Sequence, residues 1–148
     1  MTTMLCAAAI QVSLLLTGAE AKTDNTETYT EAHRATIETG KPMVIMVSTD
    51  WCAPCQVMKK TIMPRVRERG LLRKVAFAMV NPDREGKLAE EITGGGPVPQ
   101  LVMFRKSSKG WVRKKLIGSQ SEEEAEKFIN EGLAANESEK KADSDEKK

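Results

Sequence analysis

The chain reads as one α/β domain built on a four-stranded mixed sheet with helices on both faces. Three observations predict it. Apolar runs of strand length alternate with capped segments of helix length, in the order helix, strand, helix, strand, helix, strand, strand, helix. The first two strands are joined through a helix, and the right-handed crossover this requires makes them parallel. The last two apolar runs flank only Ser107-Ser108-Lys109-Gly110, which makes that pair an antiparallel hairpin.

Each element has its own punctuation. Thr28-x-x-Glu31 is a capping box that opens a helix running to about Thr39, and Gly40 stops it. The apolar run Met43 to Val47 is too continuous for a half-exposed strand and predicts a buried one. A long helix follows from Cys52 to Arg69, closed by Gly70 and bent where Pro64 interrupts its hydrogen bonding. Val75 to Val80 is the second buried strand and Lys87 to Ile92 a short helix. Gly94-Gly95-Gly96 is a turn; it is no phosphate cradle, because no Lys-Ser/Thr follows and no strand-to-helix junction surrounds it. The hairpin strands are Gln100 to Phe104 and Val112 to Ile117. Ser121-x-x-Glu124 caps the last helix, which sets Ala125, Phe128, Ile129 and Leu133 on its core face and ends near Ala134.

Trp51-Cys52-Ala53-Pro54-Cys55 stands where the first strand gives way to the long helix. Two cysteines separated by two residues can open and close a disulfide. At a helix start, unpaired N–H groups and the positive end of the dipole favour a thiolate on the first cysteine. Cys52 is therefore the expected nucleophile, with a pKa below the free value of about 8.5, and Cys55, one turn further in, the resolver. Pro54 has no N–H to lose in the first turn, and its fixed φ suits that place. A zinc or iron-sulfur half-site is the competing reading. Such sites want four ligands, and beyond the pair the chain has only Cys6 and the single His33. Neither metal nor cofactor is expected.

From about Tyr29 to Ala134 the chain resembles the thioredoxin family. Two motifs carry the resemblance: Trp51 to Cys55 at a strand-to-helix junction, and Val98-Pro99 directly before the apolar strand Gln100 to Phe104. The resemblance implies a thioredoxin-like fold, a cis Pro99 facing the cysteine pair, and a Val98 backbone that pairs with an extended substrate segment. Trp51, Val98 and Pro99 are then the expected substrate contacts, and Trp51, Pro54 and Pro99 support the pair. The sequence departs from thioredoxins proper at Met46, where they hold a buried acid that helps deprotonate the resolving thiol, and at Ala53, where the commonest reducing motif has glycine. The segment Lys59 to Val66 is more similar to thioredoxin-like modules of bacterial disulfide reductases.

The ends of the chain bear on where it works. Residues 5–17 are mostly apolar and Ala19-Glu20-Ala21 fits a small-x-small cleavage site, so residues 1–21 are expected to be a secretory signal. The n-region carries no Lys or Arg, and an uncleaved anchor or a buried helix is the alternative; yet the apolar run is shorter than the ~20 residues that span a bilayer. Cleavage would also discard Cys6 and leave the redox pair as the mature chain's cysteines, which suits an oxidising compartment. Residues 22–28 form a linker, 29–135 the domain, and 136–148 a charged tail expected to lack order. Net charge is +2, and removing Glu20 with the signal makes it +3, too little to imply nucleic-acid binding.

The expected function is an exported thiol-disulfide oxidoreductase, periplasmic or extracellular. It would act as a monomer on protein or small-molecule disulfides and draw reducing equivalents from a membrane electron donor. An oxidase or isomerase role is the nearest alternative. A redox-inert thioredoxin-like binding module and a copper(I) metallochaperone come from a different class; Met43, Met46, Met79 and Met103 fall in apolar strands and read as core rather than as copper ligands.

Overall fold

A computed structural model describes residues 28–146, so the proposed export segment and residues 22–27 of the linker lie outside the described residues. Helix α1 spans Tyr29–Thr39 and carries the capping box on Thr28 and Glu31; Gly40 closes it with φ 67°. Strand β1, Met43–Val47, is buried along its whole length. It pairs in parallel with β2, Ala76–Val80, and antiparallel with β3, Gln100–Ser107. Strand β4, Gly110–Ile117, pairs antiparallel with β3, giving the sheet order β2-β1-β3-β4. The mixed four-stranded sheet expected from the sequence is the one observed.

Alternation along β1 divides the core into two layers. Val44 and Met46 point toward Met58, Met63, Val66, Phe128 and Ile129. Met43, Ile45 and Val47 point the other way, toward Ala32 of α1 and Ala89 and Ile92 of α4, Gly86–Thr93. With helices on both faces, a strand like β1 must be apolar at every position.

Two expectations are corrected. The helix after the cysteines is not continuous: α2, Ala53–Val57, passes into a π turn, Met58–Ile62, before α3, Met63–Glu68. In the π turn Met63 N donates to Met58 O, five residues back. Pro64, in the first turn of α3, has no N–H to give the α ladder, and the wider turn absorbs that mismatch.

The last helix also runs further than its apolar face. Helix α5 spans Glu122–Glu146, past Ala134 and through most of the stretch expected to lack order. Asn136 is buried, and its amide donates to Gly40 O at 3.1 Å. Glu139 accepts from Ser108 N at 3.2 Å and sits 3.7 Å from Arg105. Those contacts anchor the first turn beyond Ala134. Further on, a nucleated helix needs no apolar face to propagate through good helix formers such as Glu, Lys and Ala.

Candidate active site

The cysteine pair stands at the end of β1, where the chain turns over the edge of the core. Cys52 has extended backbone angles (φ −84°, ψ 110°) and is the N-cap of α2, its Sγ accepting from Cys55 N at 3.3 Å. Sulfur here plays the part that an oxygen plays in an ordinary cap. Cys52 and Cys55 are joined in a disulfide, with Cα atoms 5.2 Å apart. Their exposures differ: Cys52 keeps 6 % of its surface open, whereas Cys55 has none. Pro54 falls in the first helical turn, as expected.

The second expected motif meets the first. The Val98-Pro99 bond is cis, and Val98 O lies 3.8 Å from Cys52 Sγ, 46 residues away in sequence. Pro99 is buried and Val98 half-buried. Three successive glycines with positive φ, Gly94 to Gly96, lead the chain from α4 into this turn. Gln100 fastens the turn from below, its amide donating to Gly95 O and Pro97 O at 3.3 and 2.9 Å. A cavity of about 170 Å³ opens beside Val98, lined also by Val47, Pro82, Gly86 and Thr93.

Around the pair lies a polar frame that the sequence reading did not find. Trp51 is 74 % exposed, yet its indole N–H donates to Asp83 Oδ2 at 2.9 Å. Asp83 N in turn donates to Asn81 Oδ1 at 2.9 Å, an Asx turn in the loop after β2. Asp50 gathers the rest: Lys59 Nζ at 3.2 Å, Arg84 at 2.9 Å and the Asn81 amide at 3.1 Å. Hydrogen bonding from Lys59 first, then its charge, then Arg84 and Asn81, holds the Asp50 carboxyl below its ordinary pKa. Gln56 closes the frame by donating to Asp50 O at 3.1 Å. Asn81-Pro82-Asp83 after a strand was a legible turn signal, but nothing local says that it faces Trp51.

Met46 is fully buried, between Met79 and Leu101 on the neighbouring strands and in the same apolar layer as Met58. No Asp or Glu is among the buried residues described. Among the described residues no three His, Cys, Asp or Glu side chains come together as a metal site, and no helix is long and apolar enough to cross a membrane.

A redox-capable cysteine pair at the start of a helix, facing a cis-proline turn on a four-stranded mixed sheet, defines a thiol-disulfide oxidoreductase of the thioredoxin superfamily. Known proteins agree. A family model described as thioredoxin-like matches residues 24–106. A probable thioredoxin-2 from Caenorhabditis elegans is 30 % identical over 114 residues, spanning 76 % of this chain and 71 % of the relative. The solution structure of a thioredoxin from Thermus thermophilus superposes with a TM-score of 0.64 at 20 % identity, over 74 % of this chain and 86 % of that one. A mutant thioredoxin from Halobacterium salinarum gives 0.54 at 25 % identity, over 72 % and 86 %. The chain belongs to the thioredoxin-like family.

Proposed function

We propose that this oxidoreductase is exported and reduces disulfides in protein substrates, with Cys52 attacking and Cys55 resolving. The observation that carries the division of labour is the difference in exposure: Cys52 reaches the surface at the N-terminus of α2, while Cys55 is completely buried. The reduced Cys52 thiolate attacks one sulfur of a substrate disulfide; the other substrate sulfur leaves as a thiolate. Cys55 then attacks Cys52 Sγ, releases the second substrate sulfur and leaves the pair oxidised. Two electrons and two protons from a membrane donor restore the dithiol.

Trp51 and the Val98 backbone flank the attacking Cys52 sulfur and would bind the substrate segment, in the manner of an added strand. Export is supported by the apolar residues 5–17, by the Ala19-Glu20-Ala21 site and by the position of Cys6 within the removed segment.

Trapping separates the roles. Cys55→Ser should accumulate a mixed disulfide through Cys52, whereas Cys52→Ser should accumulate little; the opposite pattern would overturn the assignment. Insulin reduction, run beside oxidation of a reduced peptide and a measured reduction potential, decides the direction. N-terminal sequencing of protein from its native source decides export: Lys22 is the expected first residue, and retained Met1 or Thr2 would sink cleavage.

A further inference from the structure

A closed ring of contacts passes through the cysteine pair. Cys55 N donates to Cys52 Sγ at 3.3 Å, and that sulfur lies 3.8 Å from Val98 O. The next residue, Pro99, accepts at its carbonyl from Gly118 N at 2.8 Å. Two residues further on, Gln120 N donates to the Met58 sulfur at 3.4 Å. Met58 N donates in turn to Cys55 O and Pro54 O, which returns the ring to the pair. Apart from the reacting cysteine, Met58 is the one member of this ring that takes part through its side chain.

The span between Ile117 and Gln120 is braced well enough to transmit a position. The Gln120 side-chain amide donates to Ile117 O at 3.0 Å and to Gly118 O at 3.1 Å, folding the loop onto itself just beyond β4. Its backbone N–H turns instead to a sulfur that is completely buried, where a donor without a partner would be costly. Met46, Met63 and Met103 share the apolar layer of Met58, and among the described residues no hydrogen bond reaches their sulfurs. Packing in that layer would be served nearly as well by leucine, which fills much the same space. Accepting the Gln120 N–H requires the thioether.

The Val98 carbonyl bears on the chemistry through its dipole. A carbonyl oxygen directed at a sulfur opposes negative charge there, whereas the Cys55 N–H favours it. Displacing the Val98-Pro99 turn therefore changes the balance at Cys52. We propose that Met58 is a positioning residue for the dithiol chemistry, its sulfur holding the Val98-Pro99 turn against Cys52 through Gln120 and Gly118. The charged groups that frame the pair lie outside the ring: Asp50 with Lys59 and Arg84, Asp83 with Trp51, and Lys60, exposed on the π turn. Strand β1, helix α2, the Val98-Pro99 segment and residues 117–120 carry no charge. The proposal rests on the dithiol chemistry and is independent of redox direction and export.

The test compares Met58→Leu with Met63→Leu, a control from the same apolar layer. The rate at which iodoacetamide alkylates Cys52 in the reduced protein, followed against pH, reads the balance at its sulfur. In Met58→Leu the turn is released from a contact already near closest approach, so its carbonyl moves away on average. The alkylation midpoint should then fall by about half a pH unit. The KM for a peptide disulfide, which lies along the Val98 backbone, should rise several-fold because the turn is no longer held ready for it. Met63→Leu should move neither. A midpoint that stays or rises in folded Met58→Leu, or the same fall arising from Met63→Leu, overturns the proposal. In the wild type a nuclear Overhauser contact should join the Met58 methyl protons to the Gln120 amide proton; its absence overturns it without any variant. If wild type reduces no peptide disulfide, the redox activity itself fails, and the alkylation midpoint still decides the role of Met58.

Discussion

Trp51 and Asp83, 32 residues apart, are joined by a hydrogen bond of 2.9 Å from the indole N–H to the carboxylate. A mostly exposed ring beside the reactive sulfur is thereby held by the loop after β2. Asp83→Ala should leave stability within about 1 kcal/mol, because the bond is solvent-exposed. It should slow turnover of a protein disulfide several-fold while barely affecting a small aromatic disulfide that needs no docking surface. Fluorescence anisotropy of Trp51 in a Trp111→Phe background should fall; unchanged anisotropy and turnover would show that the bond does not hold the ring.

The Asp50 frame predicts a pH dependence with a definite sign. Lys59, Arg84 and Asn81 lower the folded-state pKa of Asp50 beneath its ordinary value of 3.8. Its contribution to stability is then fully present above the unfolded value and disappears as pH falls through the lower folded value. Asp50→Asn should melt below wild type at neutral pH, with the gap closing in strong acid and shrinking with added salt. Thermal melts from pH 7 to pH 2 check this; a gap that widens in acid would contradict the frame.

Met46 can neither accept a proton nor impose a negative charge on Cys55. Met46→Asp should quicken resolution of the mixed disulfide at neutral pH and cost about 2–4 kcal/mol, because an unpaired carboxyl replaces a packed thioether. Stopped-flow resolution rates and urea unfolding measure the two effects. Equal rates in a folded variant would show that the missing acid does not limit this protein.

Gly132 has a packing reason to be glycine. A Cβ built there would collide with Sδ and Cε of Met103, itself 1 % exposed. Gly132→Ala gains up to about 1 kcal/mol of helix propensity but overpacks the seam between α5 and β3, so a net loss of about 1–2 kcal/mol is expected. In a Met103→Ala background the same change should turn stabilising. Chemical denaturation of the four proteins tests the coupling; strictly additive effects would contradict it.

What the sequence made legible was local. Thr28 with Glu31, and Ser121 with Glu124, mark helix starts through bonds spanning three residues, and both boxes are present. The cysteine pair is equally local, and Val98-Pro99 was reached through family resemblance. What stayed hidden depends on distant partners: Asp83 beneath Trp51, Arg84 on Asp50, and Asn136 on Gly40, 96 residues away. The order beyond Ala134 was missed for the same reason, since composition shows the lack of apolar residues but not the carbonyl that Asn136 finds. Pro64 announced a disturbance in the long helix, but a bend and an inserted turn look alike in sequence.

That inserted turn has an angular consequence. In an unbroken α-helix, residues five apart differ in direction by about 140°, at about 100° per residue. Met58 and Met63 are five apart, and both are buried in the same apolar layer. The wider turn between them resets the phase, so the segment bearing Cys55 and the segment bearing Val66 each present their apolar side to the sheet. A single-residue deletion within residues 58–62 would therefore act like a screw turned by about a quarter, swinging either the resolving cysteine or the Val66 face out of the core.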